Sequence, residues 1–402
     1  MPLYDHSSQF LPLLPDIQSR EQALVKAHDL QKIALTIKGR AHGGVIASLS
    51  PLLRAMNSYY TNLIEGQHTR PSEIEQALRK DFSADNQLRR KQHIALAHMQ
   101  TEKWAEELLG TQQWQALFSA DSVQVLHREL FARMPEQYRV ADDGTRFAPG
   151  EWRDVNVEVG RHVAPDHTAV QHFLQGWAQE YRQTRDGELA IVAAAASHHR
   201  LAWIHPFRDG NGRVARLHTH LLLHAMGLTN GVWSPMRGLA RNKQQYYNFL
   251  AVADQPRAGD YDGRGNLSQR GLVQFIEYFL DICIDQARFM GQMLNFDAMK
   301  DRIAACLSYL NTTTDSDIRI EALNALHYTF MSGPIERGEF KRMLGLAPRT
   351  ADRVVAALES RGLLWSETPK GKVTFGMPLH ALRFYFPALW PEAEADVQRN
   401  AG

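Results

Sequence analysis

The chain has 402 residues, with 45 Lys and Arg against 44 Asp and Glu for a formal net charge of +1, and it is 44% hydrophobic and 22% charged. That apolar fraction excludes large-scale disorder, and the even balance excludes binding of nucleic acid by bulk positive charge, though not a small basic module inside a neutral whole. Two cysteines, Cys283 and Cys306, exclude a disulfide framework or a cysteine-rich zinc site.

Gln9 to Pro15 reads as an extended arm punctuated by prolines. Apolar residues at every third or fourth position then predict helices near 18–38, 50–65, 72–80 and 87–131, the last breaking near Gly110. Between Phe147 and Val163 the period changes: Trp152, Val155, Val157 and Val159 approach strand alternation between Gly150 and Gly160. A small β-hairpin is the economical reading, a twisted loop the other. Helical spacing resumes near 168–184 and 187–203. A polar, Gly-rich break at 205–212 follows, then helices near 212–226, 240–254 and 268–297, with Pro256 to Asn266 as an exposed loop. The longest apolar run, Leu189 to Ala196, is far shorter than the roughly 20 residues a membrane span needs. No signal peptide is visible at the N-terminus. The expectation is a soluble cytoplasmic protein with no membrane contact.

Short helices are predicted near 298–311, 318–330, 336–344 and 348–361, then two short strands between Leu364 and Phe375 around Pro369 to Lys372. Three helices and a hairpin of this size predict a winged helix-turn-helix. The fold class is therefore mainly α, with a hairpin flap and a C-terminal winged helix. The predicted domains are 1–110, 111–297 and 298–402.

The chemistry concentrates in His205-Pro206-Phe207-Arg208-Asp209-Gly210-Asn211-Gly212-Arg213-Val214-Ala215-Arg216. Gly210 and Gly212 let backbone approach a ligand at the start of a predicted helix, where free N–H groups attract anions. Arg213 and Arg216, three apart, share a helix face and can grip successive phosphates. Asp209 is a hard oxygen donor, and one carboxylate suffices for Mg²⁺ held beside phosphate. His205 has an ordinary pKa near neutrality, which suits a general base.

This segment resembles the His-x-Phe-x-(Asp/Glu)-Gly-Asn-Gly-Arg-x-x-Arg signature of Fic-domain proteins at every defined position. Ala195 to Ile204 is similar to the helix before the Fic loop. Pro149 to Gly160 resembles the family's target-docking flap, and Tyr246 to Leu250 the segment whose tyrosine covers the nucleotide base. The resemblance implies transfer of AMP from ATP, with Mg²⁺, to a Tyr, Ser or Thr hydroxyl of a target protein. His205 would take the hydroxyl proton and Asp209 would hold Mg²⁺. Gly210, Asn211 and Gly212 would cradle the phosphates, with Arg213 on the β-phosphate and Arg216 on the γ-phosphate. Phe207 would anchor the loop and Tyr247 would contact adenine. The target would dock on residues 151–163, and a second copy of the chain is a further candidate partner.

Thr61-Asn62-Leu63-Ile64-Glu65-Gly66 ends a predicted helix, and an acid in that last turn opposes the helix dipole. The tetrad resembles the Fic inhibitory motif, (Ser/Thr)-x-x-x-Glu-(Gly/Asn). That resemblance implies a salt bridge from Glu65 to Arg216 that occupies the γ-phosphate position. Many family members carry Ser where this chain has Asn62. In the family this Glu also supports the reverse reaction, removal of AMP.

Other groups are weighed by the same physics. His220 and His224, four apart, could share a metal, but no third ligand at suitable spacing is visible, so ordinary packing is the expectation. His198 and His199 are expected in the core. Asp254 stands where some family members place an Asn near the base. Residues 333–376 hold eight Lys and Arg against five acids. Arg349 and Arg353 fall early in the predicted recognition helix, as candidate DNA contacts. The rival function is thus a DNA-associated regulator whose pocket senses nucleotide.

Overall fold

The computed structural model describes residues 4–40, 43–141, 143–160, 162–185, 187–294, 298–313 and 316–387. The chain forms two compact units. The first comprises Met1–Leu35, Met56–Thr69 and Gln76–Arg288; the second comprises Thr36–Ala55, Arg70–Glu75 and Phe289–Gly402.

The helices run in chain order as α1 (Glu21–Arg40), α2 (Gly43–Ile64), α3 (Pro71–Leu78), α4 (Asn86–Leu108) and α5 (Ala120–Ala132). A two-stranded ribbon follows, β1 (Glu158–Val159) and β2 (His162–Val163). Next come α6 (Val170–Arg182), α7 (Glu188–Ile204), α8 (Asn211–Ala225), α9 (Met236–Arg241), α10 (Lys243–Ala253) and α11 (Gln269–Met293). The chain continues through α12 (Met299–Thr313), α13 (Leu323–Ser332), α14 (Arg337–Met343) and α15 (Pro348–Ser360). Strands β3 (Leu364–Trp365) and β4 (Thr374–Phe375) and helix α16 (Leu379–Tyr385) complete the order.

The mainly α expectation holds. In the first unit α7 is buried along nearly its whole length, its polar Ser197 to Arg200 included. It packs on α6 and α8, and α8 packs on α4 and α5. Trp177 ties α6 to α7 by donating its indole N–H to the Ser197 carbonyl at 3.1 Å. The N-terminal arm docks on this core. Phe10 and Leu13 are buried. Arg200 donates to the Pro12 carbonyl at 2.7 and 3.1 Å, and Tyr181 to the Leu13 carbonyl at 2.6 Å.

Three details differ from the sequence reading. The helix predicted near 240–254 is α10, but the short α9 before it was not anticipated; the two are separate because Asn242 leaves helical geometry at φ −132°, ψ 47°. Helix α2 starts at Gly43, before the predicted start near 50, and carries Pro51 in its interior. The flap has strand geometry only at its tip, where Glu158 pairs with Val163 and Val159 with His162. Trp152 to Val157 is an irregular loop because Trp152 stacks on Phe207 and Arg153 turns inward, which prevents alternation. Residue 161 of the predicted flap, residues 295–297 of the predicted 268–297 helix and residues 388–402 lie outside the described residues.

In the second unit, β3 and β4 follow α12 to α15 and pair antiparallel, and Val373 bridges to Ile335 just before α14. Helix α16 was not anticipated. Among the described residues, no helix is long and apolar enough to cross a membrane.

Candidate active site

Helix α7 ends at Ile204, and His205 closes it in the left-handed region at φ 50°. That conformation costs a residue with a β-carbon about 1–2 kcal/mol, so surrounding bonds must hold it. They come from Arg153, which is buried. Its backbone N–H donates to the Pro206 carbonyl at 2.9 Å and its Nε to the His205 carbonyl at 2.8 Å. The same guanidinium reaches the Val155 and Pro165 carbonyls. One side chain thereby joins both arms of the flap to the start of the Gly-rich loop. Burial lowers this guanidinium to about 10, so it stays charged at neutral pH.

The His205 Nδ1 faces the Ala202 carbonyl at 3.4 Å. A proton on Nδ1 leaves the Nε2 lone pair as the base. Burial, with His162 and Arg153 nearby, pushes this imidazole down to about 4. At neutral pH it is therefore uncharged and able to accept a proton.

The loop is braced from inside. Asn211 Oδ1 accepts from the Phe207 N–H and its Nδ2 donates to the Phe207 carbonyl, both at 2.8 Å. The Asn211 amide is thus committed to the loop, and contact with an anion falls to backbone N–H groups. Phe207 is sandwiched between His127, centroids 3.8 Å apart, and Trp152, at 5.0 Å. Gly210 caps α8 at φ 79°. A β-carbon there would lie 2.6 Å from Phe131 Cζ, so only glycine fits.

Helix α8 begins at the loop, and its free N–H groups carry positive potential. Arg213 and Arg216 add two buried cations. Asp209 Oδ1 accepts from the Gly210 N–H and lies 3.7 Å from Arg213. Asp209 Oδ2 makes no hydrogen bond among the described residues, which suits a partly exposed carboxylate to Mg²⁺.

Into this cationic corner comes the end of α2. Gly66, at φ 71°, terminates the helix: its N–H donates to Leu63 and the Gln67 N–H to Asn62, a Schellman pair. That turn sets Glu65 at the helix end, facing α8. Its Oε1 pairs with Arg216, and Thr61 Oγ1 accepts from Arg216 Nε at 2.8 Å. Asn62 Oδ1 accepts from Arg213 Nε at 3.3 Å. A β-carbon at Gly212 would overlap Glu65 Oε1, so the carboxylate lies directly against the N-terminus of α8. Burial opposes ionisation of Glu65, but Arg216 and Arg213 outweigh it and hold the carboxyl below its ordinary value. Burial likewise disfavours a charged Arg216, and Glu65 more than offsets that.

Tyr247 sits at the rim and donates its hydroxyl to the Ile64 carbonyl at 3.0 Å. Tyr246 is buried, with its hydroxyl 2.8 Å from His198 Nε2. His199 and Asp254 pair at 3.0 Å. The structure therefore gathers His205, Phe207, Asp209, Gly210, Asn211, Gly212, Arg213, Arg216, Tyr247, Thr61 and Glu65 in the first unit. Arg349 and Arg353 belong to the second unit, exposed on α15.

Sequence reasoning missed His127 altogether and did not see the anchoring role of Arg153. His127 Nδ1 accepts from the Gly150 N–H at 2.8 Å, so Nε2 carries the proton and donates to the Asp209 carbonyl at 3.2 Å. It links flap and loop. Neither residue has a local motif that would have disclosed it.

Residues 117–223 match the model of the Fic/DOC family. The chain is 31% identical over 150 residues to a protein adenylyltransferase Fic of Drosophila grimshawi, covering 37% of this chain and 30% of that relative. It is 32% identical over 109 residues to one of Culex quinquefasciatus, covering 26% and 20%. The chain thus spans less than a third of the length of these curated relatives. A Fic-domain-containing signaling protein from Bacteroides thetaiotaomicron has a similar fold, with TM-score 0.50, 17% identity, and coverage of 66% of this chain and 96% of that one.

Proposed function

We propose that this chain, which carries a Fic/DOC-family domain at residues 117–223, transfers AMP from ATP to a protein hydroxyl and is held back by its own Glu65. The observation that carries the reading is the ion pair of Glu65 with Arg216 at the N-terminus of α8. An acid from a separate helix stands where the helix and two arginines would hold a nucleotide phosphate. The names of the adenylyltransferase relatives support the choice of ATP.

In this reading the target hydroxyl approaches His205 along the flap. Val155 and Val159 are exposed there, and β1 pairs with β2 alone among the described residues. The open edge suits β-augmentation by an extended target segment. His205 Nε2 takes the hydroxyl proton as the oxygen bonds to the α-phosphorus, and the bond from that phosphorus to pyrophosphate breaks. The backbone N–H groups of 210–212, with Arg213 and Arg216, stabilise the charge on the departing phosphates. Mg²⁺ on Asp209 would neutralise phosphate charge. With Glu65 on Arg216, the terminal phosphate is excluded and ATP cannot adopt the productive pose.

His205→Ala tests the catalytic assignment. We expect label transfer from ATP to fall by about 10²–10⁴ while ATP binding persists. Undiminished transfer would remove His205 from the base role. The exposure of Arg349 and Arg353 on α15 favours a second activity, contact with duplex DNA.

A further inference from the structure

His220 does not simply pack, as its spacing from His224 alone suggests. One turn beyond Arg216 on α8, it meets Glu102 and Glu106, which lie one turn apart on α4. His220 Nε2 is 2.9 Å from Glu106 Oε1 and 3.8 Å from Glu102 Oε1. One ligand atom from each of the three lies within 4.8 Å of the others. This is the third ligand that linear spacing could not reveal, because it comes from α4, 114 residues away.

We propose that Glu102, Glu106 and His220 bind a divalent first-row transition ion, zinc in the first instance, at a structural site separate from Asp209. Four observations carry this. The side chains of Glu102 and His220 are 1% and 3% exposed, and that of Glu106 10%. Two carboxylates so close and so buried repel unless a shared cation neutralises them. The imidazole nitrogen selects a transition ion over Mg²⁺, which prefers oxygen alone.

Glu102 is also oriented as a ligand would be. Asn57 Nδ2 donates to its Oε1 at 2.7 Å, and Asn57 Oδ1 accepts from Ser234 Oγ at 2.7 Å, so the amide cannot turn. Finally, His98 borders the set with its Nδ1 3.6 Å from Glu102 Oε2. It is fully buried, and neither ring nitrogen makes a hydrogen bond. A buried imidazole without such a bond is costly, and this one stands beside Glu102 at the edge of the three-ligand set. A contraction of about half an ångström toward a common centre would bring the oxygens and nitrogens to zinc-ligand distances. The ion would clamp α4 to α8 one turn beyond the Arg216 guanidinium.

The test is metal content, independent of AMP transfer. The full chain is stripped with chelator, dialysed against zinc, freed of excess and measured by plasma mass spectrometry, with thermal unfolding in parallel. Wild type and Asp209→Asn should each keep about one zinc per chain. Glu106→Gln and His220→Gln should keep less than about a tenth of that, and zinc should raise the unfolding temperature of wild type and Asp209→Asn but of neither ligand variant. Wild type retaining less than about a tenth of an equivalent overturns the proposal whether or not the variants fold. Equal zinc in wild type and folded variants overturns it too, and leaves the cluster as hydrogen-bonded histidine–carboxylate pairs.

Discussion

The His127 ring lies flat on Phe207, with centroids 3.8 Å and planes 10° apart. Its two nitrogens meanwhile bridge Gly150 and Asp209. One buried side chain thus fixes the Gly-rich loop to the root of the flap. His127→Ala should cost about 3 kcal/mol of stability through lost packing and two unmade hydrogen bonds, visible as a lower urea midpoint. At temperatures where the variant stays folded, AMP transfer should still drop at least about tenfold. A folded variant with wild-type transfer would show that the loop keeps its shape without this brace.

Gly210→Ala meets two obstacles, the positive φ and the Phe131 ring. We expect a loss of about 2 kcal/mol or more and little transfer, even in the Glu65→Gly background. Phe131→Ala should restore part of that activity by removing the clash. Failure of any rescue would point to φ alone as the obstacle.

His205 and His198 define a pH dependence. Burial holds them at about 4 and about 3, against an ordinary value of 6.5. As pH falls below about 6.5, the unfolded chain takes up protons that the folded state refuses. Stability then declines by about 1.4 kcal/mol per pH unit for each group until the folded value is reached. The urea midpoint should therefore fall steadily between about pH 6.5 and pH 4. Transfer by a folded Glu65→Gly variant should stay nearly flat down to about pH 5. Histidine NMR showing a His205 midpoint near 6.5 would contradict the flat transfer profile and remove the His205 share of the stability loss.

Much of the site was legible because it is local. Twelve consecutive residues, His205 to Arg216, hold a histidine, a carboxylate, two glycines and three arginines, and Thr61 to Gly66 carries the opposing acid. Helical periodicity located the helices because α6 and α15 bury one face each. The supporting shell was not legible, since its partners are distant in sequence. His127 reaches Asp209 across 82 residues, and Arg153 reaches His205 across 52. The break between α9 and α10 was hidden because Asn242 leaves helical geometry without a Pro or Gly to announce it.

Four of the eight cations in residues 333–376 face acids. Arg337 pairs with Glu359 at 2.6 Å, Lys341 with Asp352, Lys372 with Glu336 at 3.7 Å, and Arg353 lies 4.0 Å from Asp317. The DNA reading therefore predicts weak, salt-sensitive binding. Replacing Arg349 and Arg353 together by Ala should lower the slope of log affinity against log salt by about 2 on a mixed-sequence duplex. Unchanged slope in fluorescence anisotropy would take both residues out of the contact.

The central claim is that Glu65 holds the pocket shut by standing on Arg216, and Glu65→Gly tests it directly. Wild type and variant are incubated with Mg²⁺ and ATP labelled at the α-phosphate, and label on the chain itself is counted. The account predicts at least about tenfold more label on the variant, a barrier change of about 1.4 kcal/mol. Equal incorporation by the two proteins would contradict it.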